Sequence, residues 1–445
     1  MAKEINFPSE LLFIKEDIPQ KIEPLTLLNI YSNSITSFTH GFHKYPAKFI
    51  PVIPRWAINK YSVSNNNIII DPFCGSGTTL VEGLLKNQNV IGIDIDPLSA
   101  LISKVKTTPL LIDHLLIVNN YIQTRIKDTS KGSFIPKCSN INHWFTSENI
   151  VLLSKIRTVI DEIYERFKNV PNINDIYDFL LICFSSIIRR VSYADNESQK
   201  TYVSHTKIKH PENPINLFTS QLQYFTDRIM LFSSTISREL YSKVICKNII
   251  ESALEEIEND FIDLAITSPP YIKSIDYLYN QMVELFWIGD LFNLDTQVMQ
   301  NGYKRLYIGN KNIPIDIYNN FNPYSTQLDI KELDSTIISI FEADKKNGLK
   351  HSFITYKYFY DMEKHFTNLY EKLKKNSHYV IVVGNSNVSD HLIKTDKFII
   401  EIAQRNGFKF INEWGYKIKN RYMRFDRKGR GGIILTDWVI DLQKV

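Results

Sequence analysis

The stretch "NIIIDPFCGSGTTLVEGLLKNQNVIGIDIDPLSALISKVK" (67–106) constrains this chain more than any other. An apolar run ends on Asp71, a Gly-containing loop follows, and helical spacing then leads into a second apolar run ending in acids. Short β-rich runs alternating with helical periodicity are the signature of parallel βαβ units. A second α/β block begins near residue 243. "KVICKNII", "FIDLAI" and "SHYVIVVGNS" read as strands and "DKFIIEIAQRNGF" as a helix, while "FINEWGYKI" and "GGIILTDWVIDLQK" read as a terminal antiparallel pair. Between the blocks, "ENIVLLSKIRTVIDEIYERF" and "INDIYDFLLICFSSIIRRV" carry apolar residues at helical spacing. The expected fold is therefore α/β, with a mainly parallel sheet, a C-terminal hairpin and a mostly helical insertion. The expected units are 1–110, 111–242 and 243–445, with an irregular insert near 295–350.

At 445 residues the chain exceeds one ordinary core, and 44% hydrophobic with 22% charged residues is a globular balance. The net charge of +4 does not by itself select a nucleic-acid partner. The four cysteines contain no CxxC pair and the ten histidines no HExxH spacing, so neither a disulfide framework nor a metal site is expected. The N-terminus is charged throughout with no apolar signal core, and the longest apolar run, 179–188, is too short for a membrane span, so a cytoplasmic protein is expected.

In "DPFCGSGTT", Gly75 and Gly77 permit a tight turn and close backbone approach to a ligand. The N–H groups beyond Thr78 open a helix toward it. Asp71 at the strand end suits an amine. Asp94, about twenty residues on, suits the hydroxyls of a ribose. The loop is neither GxGxxG nor a P-loop. In "AITSPPYIK" two prolines end a buried strand, and neither has an N–H to offer. Ser268, a carbonyl of Ser268 or Pro269, and the ring of Tyr271 suit a planar base carrying an exocyclic amine. A plain strand terminator with a core tyrosine is the competing reading of that motif alone.

These residues together resemble the S-adenosylmethionine-dependent amino-methyltransferases of DNA, of the cytosine-N4 type found in restriction-modification systems. Asp71–Thr79 matches the family's D-P-F-x-G-S-G-T-T cofactor loop. Asp94 matches its second-strand acid, and Ser268, Pro269, Pro270 and Tyr271 match its S-P-P-Y tetrapeptide. "HKYPAKFIP" (43–51) looks like the upstream segment that covers the methionine end of the cofactor. The resemblance spans about 40–110 and 245–445. It implies a Rossmann-like class I methyltransferase fold and S-adenosyl-L-methionine as cofactor. The implied cofactor residues are Tyr45, Pro46, Lys48, Phe49, Asp71, Phe73, Gly75, Gly77, Thr78 and Asp94. Where the family has an adenine-binding acid this chain has "IESAL", so Ser252 or Glu251 takes that place.

The resemblance implies direct transfer to an exocyclic nitrogen of a flipped base in duplex DNA. Ser268 would accept from the amine and Tyr271 would stack on the ring. Serine in the tetrapeptide tilts the base toward cytosine and leaves adenine open. A cognate restriction endonuclease is the expected functional partner. "KIKNRYMRFDRKGRGG" (417–432) has seven Lys/Arg against one Asp, which nominates Arg421, Arg424, Arg427, Lys428 and Arg430 as DNA contacts. The basic stretch 189–210 adds Arg189, Arg190 and Lys200. Solvated loops are the competing reading of both. An RNA N-methyltransferase and an inactive nucleic-acid-binding protein are the rival functions.

Overall fold

The computed structural model describes residues 12–14, 18–30, 36–46, 48–62, 64–198, 200–273, 275–418 and 435–445. Its centre is a nine-stranded sheet in the order β1-β2-β10-β11-β7-β6-β3-β4-β5. The strands are β1 (Leu12–Ile14), β2 (Leu27–Ile30), β3 (Ile68–Asp71), β4 (Asn89–Asp94), β5 (Ser242–Cys246), β6 (Ile262–Thr267), β7 (Leu373–Gly384), β10 (Phe408–Lys417) and β11 (Thr436–Lys444). A small hairpin, β8 (Ser386–Val388) and β9 (His391–Ile393), stands apart. Every neighbouring pair in the large sheet is parallel except those made by β11, which runs antiparallel to both β7 and β10. This is the expected mainly parallel sheet with a C-terminal hairpin, and it is a Rossmann-like α/β fold. Strands β1 and β2, from the N-terminal segment, extend it past β10 and were not anticipated.

The central strands are apolar because both of their faces are covered. Ile69, Ile70, Val90, Leu264, Ala265, Ile266, Val380 and Ile381 are all fully buried. From β3 the chain steps outward to β4 and β5, then returns to the other side of β3 as β6. The sheet therefore reverses its winding between β3 and β6, and a crevice opens there at the carboxyl ends of the strands.

The helices are α1 (Val52–Tyr61), α2 (Thr78–Leu85), α3 (Pro97–Thr107), α4 (Ile112–Asp128), α5 (Ser147–Arg166), α6 (Ile173–Ile188), α7 (Pro214–Thr235), α8 (Lys331–Ala343), α9 (Gly348–Lys372) and α10 (Thr395–Arg405), besides shorter turns. Asp96, Thr146 and Asn213 cap α3, α5 and α7 by accepting backbone N–H bonds. Helices α4–α7 share one apolar core with α2 and α3: Leu80 and Ile102 belong to the same cluster as Leu180 and Phe184. Phe42 stacks on Phe225 of α7 with centroids 4.1 Å apart. Trp144, Phe145 and Trp287 lie in this core.

Within 295–350, expected to be irregular, α8 is a regular helix. Leu333, Ile337 and Ile340 are buried on one of its faces, a spacing hidden by the polar residues around them. Among the described residues no helix is long and apolar enough to cross a membrane.

Arg157 of α5 ties the helical region to the catalytic half. Its guanidinium donates to the Trp287 carbonyl, to both oxygens of Asp290 (3.0 and 2.9 Å) and to Asp161 (3.0 Å). Arg157→Met would strand the carbonyl and Asp290 and leave Asp161 with the Tyr177 hydroxyl (2.8 Å). Asp161 and Asp290 stay partly hydrated, so the expected loss is about 2 kcal/mol, below the range for fully buried pairs. Urea unfolding of the variant against the wild type checks this.

Candidate active site

The loop between β3 and α2 is shaped by two glycines in the left-handed region. Gly75 has φ +50° and Gly77 has φ +77°. A Cβ at Gly77 would stand 2.9 Å from Ser103 Oγ, and one at Gly75 would stand 3.1 Å from Tyr45 Cε1. Helix α3 holds the loop from below. Ser103 donates to the Gly75 carbonyl (2.7 Å), and the wholly buried Lys106 donates to the Ser76 carbonyl (2.9 Å). Burial drives the Lys106 ammonium well below its ordinary range.

Two strand-end carboxylates meet this loop. Asp71 accepts from Thr267 Oγ1 (2.6 Å) and from the Phe73 N–H (3.1 Å). Asp94 accepts from the N–H groups of Gly75 and Asp96, each at 2.8 Å. Burial pushes Asp71 up to about 6. Burial, aided by the Asp96 charge, pushes Asp94 up to about 7. Both are poised to gain donors from a ligand.

The segment before α1 folds over the loop because buried Glu82 anchors it. Glu82 receives His40 Nε2 (2.9 Å) and a two-pronged bond from Arg55 (2.8 and 2.9 Å). Tyr45 is thereby set against Ser99, whose hydroxyl donates to it at 3.0 Å. Tyr277 stacks on Tyr45 (5.7 Å, 26°), and Tyr307 stacks on Tyr277 (6.5 Å, 17°). The Tyr307 hydroxyl donates to Asp96 at 2.9 Å. These rings wall a cleft of about 840 Å³ that is open to solvent.

Of the cofactor residues expected from sequence, Tyr45, Lys48, Phe49, Asp71, Phe73, Gly75, Thr78 and Asp94 line this cleft. Pro46 and Gly77 do not, although Gly77 shapes the loop. Ser252 also lies outside it, preceding the short turn Ala253–Glu256. Strand β5 ends at Cys246, so the residues that reach the cleft are the next ones, Lys247, Asn248 and Ile249. Counting from the strand end, rather than from a family motif, would have found Asn248. Tyr277 and Tyr307 carry no local sequence signal, because they arrive from separate short elements.

Across the crevice, β6 ends at Thr267, and Ser268 and Pro270 line the same cleft. Pro269 and Tyr271 do not. The Tyr271 hydroxyl instead donates to Asp437 Oδ1 on β11, at 2.8 Å. Burial and the Asp437 charge hold the phenol well above its ordinary range. Two residues on, Lys273 adopts φ +55° and its Nζ lies 3.4 Å from His351 Nε2; the other ring nitrogen of His351 is 2.7 Å from Ser389 Oγ.

The expected DNA contacts divide sharply. Arg189 is a correction. It is buried, and its guanidinium donates to the carbonyls of Ser198 (2.9 Å) and Asn280 (2.8 Å) and to Thr201. It fastens Ser198 and Thr201 to Asn280 of the catalytic half, and its guanidinium is taken up by these partners. Arg190 is half-exposed and paired with Glu212 (2.9 and 2.8 Å). Lys200 is exposed. It depresses Lys311, and Lys311 and Lys350 depress Lys273, each after the effect of burial. The charges of Lys200, Lys311 and Lys350 are thus linked in series to Lys273, which follows the Pro-Pro loop in sequence. Arg421, Arg424, Arg427, Lys428 and Arg430 lie outside the described residues.

A family model described as DNA methylase matches residues 19–104, which hold the Gly loop, Asp71 and Asp94. The Type II methyltransferase M.MvaI of Kocuria varians is 28% identical over 416 residues, covering 89% of this chain and 87% of its own length. M.MjaII of Methanocaldococcus jannaschii is 40% identical over 97 residues, 22% of this chain and 18% of that one. M.BsoBI of Geobacillus stearothermophilus is 24% identical over 278 residues, 56% of this chain and 52% of that one. By these matches the chain is similar to DNA methyltransferases of the Type II restriction-modification kind, and its cofactor is S-adenosylmethionine.

Proposed function

We propose that this chain methylates the exocyclic N4 of cytosine at a specific site in duplex DNA, with the target base flipped into the cleft. The observation that carries this reading is the presence of Ser268 and Pro270 in the same cleft as the Gly loop. The donor set of the cleft suits the cofactor. Asp94 suits the ribose hydroxyls and Asp71 the ammonium group. Lys48, which burial brings down to about 8, suits the carboxylate. Asn248 and Ile249 suit the adenine ring. When bound, the cofactor supplies an electrophilic methyl group.

The amine of cytosine is a poor nucleophile because its lone pair is delocalised into the ring. Ser268 and the adjoining carbonyl accept its N–H bonds and favour a pyramidal nitrogen, on which positive charge develops. Flipping the base costs roughly a few kcal/mol, which phosphate contacts offset. Lys200, Lys273, Lys311 and Lys350 are suited to that task beside the catalytic loop, as is the basic stretch 417–432. In this reading the chain works in the cytoplasm and shields DNA from a cognate endonuclease.

Nucleoside analysis of DNA incubated with the protein and labelled cofactor tests the reading. N4-methylcytosine is expected. N6-methyladenine would overturn the choice of base, and label in RNA alone would overturn the choice of substrate. Ser268→Ala should lower the single-turnover rate by about 10²-fold or more, with the cofactor dissociation constant nearly unchanged.

Cofactor affinity should also depend on pH. Asp94, at about 7, and Asp71, at about 6, are raised, and donors from the ligand favour their anionic forms. Affinity should therefore rise with pH through that window. Calorimetric titration should find the rise diminished in Asp94→Asn. Lysine contacts predict a further change: Lys273→Gln and Lys311→Gln should each reduce the salt slope of DNA binding by about 0.9 per lost phosphate contact. Binding isotherms across a salt series measure it.

A further inference from the structure

Two backbone carbonyls tie one surface loop to the aromatic wall of the cleft. The loop runs from Ala194 to Val203, which pair as an isolated antiparallel bridge, and the Asp195 N–H donates to the Tyr202 carbonyl at 2.9 Å. Its first tie is to the short helix Tyr277–Asn280, whose Tyr277 stacks on Tyr45. A carbonyl at a helix end has no partner within the helix. That of Asn280 receives Thr201 Oγ1 at 2.7 Å and Arg189 Nη2 at 2.8 Å, and Arg189 Nη1 also donates to the Ser198 carbonyl at 2.9 Å. Thr201 is wholly buried there, and Asn280 and Arg189 are nearly so. The second tie is to the segment that carries Tyr45. Lys44 Nζ donates to the Asn196 carbonyl, and in the neighbouring His43 Nε2 lies 3.1 Å from Ser185 Oγ on α6.

The loop is also held in shape from within. Lys209 Nζ donates to the Ala194 carbonyl (2.7 Å) and to Asn196 Oδ1 (3.0 Å). Asp195 Oδ1 accepts from the N–H groups of Glu197 (2.9 Å) and Ser198 (2.6 Å). Its outer face is open to solvent: Asn196, Lys200 and Tyr202 are exposed, and His205 and Lys207 follow just beyond. A cation and an amide interleaved with an aromatic ring suit a phosphate backbone.

We propose that loop 194–203 is a DNA-contacting strap that fixes the Tyr45–Tyr277 wall when the duplex is seated, so that DNA and the cofactor bind cooperatively. Arg189 and Lys44 are positioning residues in this scheme, and neither lines the cleft. The inference rests on the reading of the cleft as a DNA-methylation site.

Tyr45 and Tyr277 line the cleft from separate segments of the chain, and the loop is bonded to both segments. A duplex that holds Lys200 and Tyr202 still takes freedom from Asn196, Ser198 and Thr201. Through their hydrogen bonds it takes freedom from Lys44 and Asn280 as well. The cofactor then meets a wall already ordered and loses less entropy in binding it. Linkage makes the effect reciprocal, so bound cofactor strengthens DNA binding by the same factor. A clamp that only supports the fold is formed equally with and without each ligand, and it produces no such factor.

The test uses the full chain, a duplex that the wild type methylates, and the demethylated form of the cofactor, which cannot react. Each ligand is titrated with and without saturating amounts of the other. In the wild type each should tighten the other by about tenfold, equally in both directions. Thr201→Val and Lys44→Gln should each bring that factor below about threefold, with the dissociation constant of each ligand alone within about twofold of wild type. Lys200→Gln should lower the salt slope of duplex binding by about 0.9.

A wild type that methylates DNA but binds the two ligands independently overturns the strap alone. So do variants that keep the wild-type factor; Lys44→Gln decides if Thr201→Val does not fold. An unchanged salt slope in Lys200→Gln overturns the loop as a DNA contact. A wild type that methylates no DNA overturns the underlying reading and the strap with it.

Discussion

The pairing of β3 with β6 is the contact on which the site depends. Ile69 faces Leu264 and Ile70 faces Ala265 in parallel register. This brings together the ends of two strands that are far apart in the chain. The Thr267 hydroxyl donates to Asp71 at 2.6 Å, joining positions separated by 196 residues. Immediately after each of those residues the chain leaves the sheet, into the Gly loop on one side and the Pro-Pro loop on the other. A shift of one residue in this register would turn every side chain of β6 to the opposite face. It would also carry Ser268 away from the cleft. The apolar packing of Ile69, Ile70 and Leu264 thus fixes catalytic geometry as well as the core.

Around that junction the protein buries charge at a cost to its own stability. Asp71 and Asp94 are held above their ordinary range, and Lys48 and Lys106 below theirs. Buried ionisable groups contribute little unless their remaining hydrogen-bonding capacity is filled. Lys106 fills part of its own by bonding the Ser76 carbonyl, which stiffens the loop from beneath. The two carboxylates keep acceptor capacity directed at the cleft, and a ligand bearing an ammonium group and vicinal hydroxyls would complete it. Glu82 contrasts with them. His40 and Arg55 hold its carboxylate below the usual range despite its burial. The Glu82 carboxylate is satisfied without a ligand, which suits its task of pinning the Tyr45 segment.

The sequence disclosed those parts of this design that one local segment encodes. The strand–loop–helix around Asp71, the acid at Asp94 and the Pro-Pro stop are contiguous patterns, and their elements stand where periodicity put them. Parts assembled from distant segments were not legible. The Tyr45–Tyr277–Tyr307 wall draws on elements with no shared pattern, and Asp437 lies in what reads as an ordinary terminal strand. Arg189 misled because a basic residue after an apolar helix looks the same whether solvent or backbone carbonyls receive it. Only the fold of loop 195–201 decides between them. Ser252 misled for a different reason. A family motif was projected past the true end of β5, whereas Asn248 sits two residues beyond it.

The identity of the residue at 268 sets what the Pro-Pro loop offers the cleft. A carboxamide in that place would accept from an amine through its oxygen, but that oxygen carries no proton. A hydroxyl can accept on one side and donate on the other. The two prolines complete the arrangement by removing N–H groups that would compete for the same oxygen. The rigidity of the loop and its serine then serve one requirement: a fixed hydroxyl facing the cleft.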